Sequence, residues 1–285
     1  MDQAGFSPTP LLASCTRWLQ ARFPQRPIKG LTRFSNWMSR CLPAYTGVIQ
    51  LQDAVRMRVD SSQPPERWLL YSGNYQPVLT RVLKQHTPPG GYCLDIGANL
   101  GFYTINLAQW VGPAGHVAAF EANPAMVERV QDNIALNQFS NVMVVSAAVH
   151  SEPGSLEFYI SHSPGKSSVH EIGNPLNKIV VPAVTIDDYV SDHDWPRLDV
   201  IKIDIEGNDC QALLGSSKTL ARFLPFIVFE YKHTTPPPIA QAVFALLATL
   251  DYELWSVSSN GKRLTFNLQT SGLIDNDIMC VPPAR

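Results

Sequence analysis

The segment Asp95-Ile96-Gly97-Ala98-Asn99-Leu100-Gly101 joins a short apolar strand, Tyr92-Cys93-Leu94, to a helical pattern that starts near Phe102. In open α/β sheets ligands bind outside the carboxyl ends of the strands, and this loop lies at such an end. Glycine permits positive φ and close approach of the backbone to a ligand, and Asn tolerates the left-handed region better than most residues. Gly97, Asn99 and Gly101 therefore read as a turn that wraps a small molecule. The middle glycine of the dinucleotide fingerprint is absent, and no Lys-Ser or Lys-Thr follows as in a phosphate loop. An ionised Asp95 would repel a pyrophosphate at short range and attract an ammonium group. Taken alone, the same residues also fit a tight strand-to-helix turn with a capping aspartate.

A second acid sharpens the choice. Val117-Ala118-Ala119-Phe120-Glu121 reads as the next strand, and Glu121 stands 26 residues after Asp95. A carboxylate at that strand end can accept hydrogen bonds from the two hydroxyls of a ribose. After the third strand, Ser146-Ala147-Ala148 leaves room for a flat ring at Ala147. An ammonium, a ribose and an adenine together describe S-adenosylmethionine.

The most polar strand-like segment is Leu198-Asp199-Val200-Ile201-Lys202-Ile203-Asp204-Ile205-Glu206-Gly207. Alternation along a strand over 198–205 would put Lys202, Asp204 and Glu206 on one face and the isoleucines on the other. Three charges on a central strand must be paired or must border an open site. Methyl transfer is an in-line attack on a sulfonium carbon, so the protein aligns the reactants and handles one proton. Asp204 is the first candidate for general base, Glu206 the second, and Lys202 would tune or orient them. Glu230, which ends the strand Phe226-Ile227-Val228-Phe229, and His233 are further polar neighbours. No close ligand motif accompanies them, so no metal is expected.

The elements that position these residues follow from periodicity. Strands are expected near 92–95, 116–121, 142–147, 198–205, 226–230, 252–257 and 277–281, with helices over 101–110, 124–137, 209–222 and 238–250. Short apolar strands alternating with helices imply a mainly parallel sheet, buried on both faces: a Rossmann-like, doubly wound α/β domain over 66–285. Alternating runs at 156–160 and 179–184 predict a β insertion around 150–190. Ahead of it, residues 1–65 read as an extension. It holds amphipathic helices over 10–23 and 30–41, a β-hairpin of 48–52 with 55–59, and Pro64-Pro65 as a hinge.

Composition sets the outer bounds. An apolar content of 45% and a charged content of 16% describe a globular chain without a 20-residue apolar span. Five scattered cysteines suit a reducing cytoplasm rather than a disulfide framework, and no secretory signal pattern opens the sequence. Residues 1–45 carry a net charge of about +5, which leaves about −7 for the rest of a chain of formal charge −2. An acidic body argues against general nucleic-acid binding.

These segments together resemble the FkbM family of methyltransferases. The resemblance rests on Leu94–Tyr103, Phe120-Glu121-Ala122-Asn123-Pro124, Asn133-Ile134-Ala135-Leu136-Asn137, Gly165-Lys166-Ser167-Ser168, Thr185-Ile186-Asp187-Asp188-Tyr189 and Asp199–Gly207. It covers roughly residues 70–282. It implies a seven-stranded Rossmann-like sheet with an antiparallel last strand at Ile278-Met279-Cys280-Val281, and transfer of a methyl group, usually to a hydroxyl of a sugar, polyketide or other natural product. Gly73-Asn74-Tyr75-Gln76-Pro77 stands where the family often has Tyr-Glu-Pro after a glycine, so Gln76 replaces an acid while Tyr75 keeps its place near the cofactor.

The expected cofactor set is Tyr75, Asp95, Gly97, Ala98, Asn99, Gly101, Phe102, Tyr103, Glu121, Ala122, Asn123, Ala147 and Asp204. The expected partner is a small hydroxylated acceptor, with a homodimer possible, in the cytoplasm and without nucleic acid or stable membrane insertion. Two rivals remain. A nicotinamide-dependent oxidoreductase would share the sheet but needs a pyrophosphate-tolerant loop, which Asp95 and Asn99 oppose. A non-catalytic scaffold would leave the charged segment at Lys202 without a purpose.

Overall fold

The computed structural model describes residues 9–21, 30, 37, 41–162, 165–257, 263–265 and 276–284. The chain divides into two compact units, residues 1–81 and 82–285.

In the first unit, helix α1 (Thr9–Ala21) packs against helix α2 (Pro64–Ser72), and Arg17 Nη1 donates to the Leu70 carbonyl at 2.5 Å. The alternation at 48–59 becomes an antiparallel hairpin of β1 (Thr46–Gln50) and β2 (Arg56–Asp60), with Ile49, Met57 and Val59 buried. The helical pattern over 30–41 falls outside the described residues, apart from Gly30, Trp37 and Cys41. Pro64-Pro65 form no hinge: they occupy the first turn of α2, where an amide N–H would lack a helical partner anyway. Glu66 accepts from the Asp60 amide at 2.6 Å and ties that turn to the hairpin. A further helix, α3 (Pro77–His86), follows.

The second unit is built on an eight-stranded sheet. Its strands are β3 (Tyr92–Ile96), β4 (His116–Phe120), β5 (Val142–Val145), β9 (Val200–Ile203), β10 (Phe226–Tyr231), β11 (Glu253–Val257), β12 (Arg263–Thr265) and β13 (Asn276–Val281). Their spatial order is β12-β11-β13-β10-β9-β3-β4-β5. From β5 to β10 neighbours run parallel, and β13 enters antiparallel between β10 and β11. This is the expected Rossmann-like sheet of seven strands, with the short β12 added antiparallel along β11. Central strands buried on both faces are mainly apolar, and Leu94, Ile96, Ile201, Ile203, Ile227 and Phe229 are almost fully shielded. Helices α4 (Phe102–Val111), α5 (Pro124–Asn137), α7 (Asp209–Leu214), α8 (Ser217–Phe223) and α9 (Pro237–Thr249) connect the strands.

Two details differ from the sequence expectation. The helix over 209–222 is broken at Gly215-Ser216, and a Cβ at Gly215 would lie 2.3 Å from the His150 carbonyl oxygen, so glycine is what fits at the break. The β insertion forms its own three-stranded sheet of β6 (Ala148–Val149), β8 (Asn177–Val184) and β7 (Gly154–Ile160), and then leads into an unexpected helix, α6 (Ile186–Asp192). Thr185 caps α6, its Oγ1 accepting from the Asp188 amide at 3.0 Å. The Thr-x-x-Asp spacing was the signal for this start.

Candidate active site

The cofactor-type loop is fastened at both ends. Beyond β3, the amides of Gly97 and Ala98 both donate to the Phe120 carbonyl at 2.9 Å, and the Gly101 amide closes the turn on the Ala98 carbonyl at 2.7 Å. Gly97 (φ +80°), Asn99 (φ +52°) and Gly101 (φ +83°) all occupy left-handed backbone. A Cβ on Gly97 would lie 2.1 Å from the Asp204 carbonyl oxygen, so glycine alone lets this loop pass the chain leaving β9.

Glu121 spans two loops. Its Oε2 accepts from the Asn99 amide at 2.7 Å and its Oε1 from the Asn123 amide at 2.8 Å. Burial pushes this carboxyl up, and the N–H groups of Asn123, Asn99 and Ala122 oppose that shift. Asn123 in turn caps α5 by accepting from the Ala125 amide at 3.1 Å. Each carboxylate oxygen of Glu121 keeps a further lone pair for a ligand hydroxyl. Ala147 is buried beyond β5, and Ala122 is half-buried.

Asp95 is less open than its sequence role suggests. It is fully buried; Oδ2 accepts from Thr104 Oγ1 at 2.6 Å, and Oδ1 lies 3.5 Å from Lys202 Nζ without a hydrogen bond. Lys202, also buried, stands 3.6 Å from Asp204 Oδ2, donates to the Gly97 carbonyl at 3.4 Å and lies 5.0 Å from the Tyr103 ring centroid. One ammonium thus links β3, the glycine loop and Asp204 beyond β9. Phe102 packs edge-on against Tyr103 at 5.1 Å between centroids.

The expected common face of Lys202, Asp204 and Glu206 does not exist, because β9 ends at Ile203 rather than at 205. The Asp204 amide still donates to the Ile96 carbonyl at 2.9 Å, but the chain then turns and Glu206 adopts φ +53°. Alternation therefore stops at Lys202. Asp204 is 36% exposed at its side chain, whereas Lys202 is 4% exposed. Glu206 instead meets Lys232, Oε2 to Nζ at 2.6 Å, and Lys232 lies 3.2 Å from Glu230. Burial alone would lower the Lys232 ammonium, yet Glu206 and Glu230 hold it above its ordinary value.

Sequence reasoning missed three residues of this cluster: Lys232, Asp209 and Asp277. Lys232 stands two residues beyond Glu230, the same-side spacing of an extended chain, and that was its signal. Asp277 pairs in register with Glu230 across β13 and β10; burial, then repulsion from Asp204, raises its carboxyl to about 6. His233 is exposed. The insertion also reaches this edge, with Ser168 Oγ donating to the Glu206 carbonyl at 3.1 Å and His170 Nε2 lying 3.3 Å from the Gly207 carbonyl. Tyr75 belongs to the first unit, where its carbonyl accepts from Thr80 Oγ1 at 2.7 Å.

The profile of the methyltransferase FkbM domain matches residues 95–260, more than half of the 285 residues and the whole span from Asp95 past Lys232. The chain belongs to this family of S-adenosylmethionine-dependent methyltransferases. Among curated relatives, the hexuronic acid methyltransferase AglP of Haloferax volcanii is 23% identical over 178 residues, 62% of this chain and 70% of that protein. The 2-O-methyltransferase NoeI of Sinorhizobium fredii is 24% identical over 159 residues, 50% of this chain and 64% of that one. An arsenite methyltransferase of Halobacterium salinarum is 41% identical over 54 residues, a match in which this chain spans 14% of the relative's length. A crystal structure of a methyltransferase FkbM from Methylobacillus flagellatus superposes with a TM-score of 0.45 at 15% identity, over 75% of this chain and 54% of that one.

The FkbM-type loop fits its cofactor on independent grounds. Asn99 Oδ1 is a buried acceptor without a hydrogen-bond donor among the described residues, and both Glu121 oxygens retain accepting capacity. Gly97→Ala should cost about 2 kcal/mol or more, from left-handed strain and displacement of the Asp204 carbonyl. Thermal melts and S-adenosylhomocysteine calorimetry check this; a variant that matches the wild type in both would show that the contact is not needed.

Proposed function

We propose that this FkbM-family chain moves a methyl group from S-adenosylmethionine to a hydroxyl oxygen of a sugar or other small natural product, with Asp204 as general base. The observation that carries the reading is the position of Asp204. Its carbonyl lies against Gly97 of the cofactor loop, while its partly exposed carboxylate stands beside the buried Lys202. Bound S-adenosylmethionine supplies the electrophilic methyl on sulfur.

The chain's own residues do the rest. Glu121 and Asn99 hold the nucleoside and amino-acid parts, Gly97 and Gly101 admit them to the backbone, and Ala147 leaves space for the adenine. Lys202 orients the Asp204 carboxylate, which takes the acceptor hydroxyl's proton as the oxygen attacks. Glu206 is the weaker candidate because Lys232 already occupies its Oε2. Relatives named as a hexuronic acid methyltransferase and a 2-O-methyltransferase support an oxygen acceptor. Five cysteines, none paired, suit a cytoplasmic setting, and among the described residues no helix is long and apolar enough to cross a membrane.

A screen of methyl glycosides and hydroxylated metabolites with labelled S-adenosylmethionine tests the reading directly. On any acceptor found, Asp204→Asn should lower transfer by about 100-fold or more, the usual scale of a lost general base. S-adenosylhomocysteine affinity should stay within about twofold. Wild-type turnover by this variant would remove Asp204 as base.

A further inference from the structure

The parallel ladder between β9 and β10 ends at the pair Ile203 and Phe229, and the two chains part beyond it. Two amides, of Ile205 and Glu230, lie past that point. Asp209 takes both: Oδ1 accepts from the Glu230 amide at 3.0 Å and Oδ2 from the Ile205 amide at 3.3 Å. The residue is 1% exposed. A single carboxyl therefore replaces the missing rung of the sheet and props the strand ends apart. Asp204 immediately precedes one of these amides, and Glu230 carries the other.

Charge follows the same geometry. Burial first, then repulsion from Asp204 and Glu230, raises the Asp209 carboxyl to about 7, against the pull of the two amides. The groups facing it are Asp204 beyond β9, Glu230 on β10 and the Cys210 thiol on its own helix, which Asp209 helps to push up. Glu230 is raised by burial and repelled by Asp204 and Glu206, with Lys232 opposing. A carboxyl raised on folding binds its proton more tightly in the native state. Its contribution to stability is full at acid pH and falls as pH rises through about 7. Near neutrality this buried group sits between its two charge states.

We propose that Asp209 is a positioning residue for methyl transfer: spliced between two strand ends, its carboxyl holds the acceptor-side carboxylates Asp204 and Glu230 at a set separation and couples their charge to its own. The inference rests on Asp204 being the base, and it explains how a turn beyond the end of β9 presents that base reproducibly. It acts through backbone amides and touches neither methyl donor nor acceptor.

The test is an NMR titration of the isotope-labelled full chain saturated with S-adenosylhomocysteine, between about pH 5 and 9. In the wild type the amide signals of Ile205 and Glu230 should move together, with a midpoint near the Asp209 value of about 7. Asp209→Asn should abolish that shared transition, and Asp204→Asn should lower its midpoint by removing a facing negative charge. S-adenosylhomocysteine affinity should stay within about threefold in Asp209→Asn. Amide signals that stay flat in the wild type, a transition that survives Asp209→Asn, or an unchanged midpoint in Asp204→Asn would overturn the proposal. A tenfold loss of cofactor affinity in Asp209→Asn would overturn it too, by placing Asp209 in the support of the cofactor loop. Should Asp209→Asn not fold, the wild-type and Asp204→Asn titrations still decide. Full methyl transfer by Asp204→Asn would remove the base reading separately, without altering the amide titration.

Discussion

Glu121→Ala is expected to weaken S-adenosylhomocysteine binding by about 100-fold or more. The carboxylate is buried, and its two oxygens already fix the Asn99 and Asn123 amides while keeping lone pairs for two ribose hydroxyls. Hydrogen bonds to a charged acceptor contribute about 1.5–3 kcal/mol each, and about 1.4 kcal/mol is a factor of ten in affinity. With the cofactor held as proposed, alanine removes both ribose partners. It also frees the Asn99 amide, so the glycine loop loses its tie to the second strand end. Glu121→Gln separates the two effects: it keeps one accepting oxygen but turns an N–H₂ group toward a backbone donor, so an intermediate loss is expected. Calorimetry measures affinity and thermal melting measures the tie. A Glu121→Ala protein that melts lower yet binds within about threefold of the wild type would leave Glu121 as a structural strut and remove it from the cofactor site.

The parts of the molecule legible in the sequence are those where one local rule decides. Apolar strands such as Tyr92–Ile96 and Phe226–Tyr231 announce a sheet buried on both faces, and Gly97-Ala98-Asn99-Leu100-Gly101 announces a left-handed turn. What stayed hidden depends on partners distant in the chain. Alternation predicted a shared face for Lys202, Asp204 and Glu206, but register with β3 and β10 ends the strand at Ile203, and the Glu206 backbone turns left-handed. The sequence of Asp95 suggests an open ammonium trap. Only the fold brings Lys202, 107 residues later, into the same buried space at 3.5 Å. Asp209 drew no reading beyond the helix expected over 209–222, since its place as a rung between two strand ends exists only once both strands are placed. Pro64-Pro65 shows the converse error: punctuation suggests a hinge, whereas proline at a helix start serves equally well.

Lys202→Met should lower the melting temperature by about 10 °C and also impair methyl transfer, and the two effects should separate in a double variant. Removing one partner of a buried ion pair costs about 3–5 kcal/mol, because the other charge is left uncompensated. For a unit of this size each kcal/mol corresponds to about 2–4 °C. The stranded charge is Asp95, fully buried and held on its other oxygen by the Thr104 hydroxyl. Pairing Lys202→Met with Asp95→Asn removes that charge while leaving an oxygen for Thr104, and buried pairs replaced on both sides are often neutral in stability. Most of the melting temperature should therefore return. Methyl transfer should not, because Asp204 has still lost the ammonium 3.6 Å from its carboxylate, and the Gly97 carbonyl has lost a donor. A single Lys202→Met variant that melts within about 2 °C of the wild type would show that the pair carries little net stability. A double variant that regains transfer along with stability would show that Lys202 matters only for holding the fold, and that Asp204 needs no cation beside it.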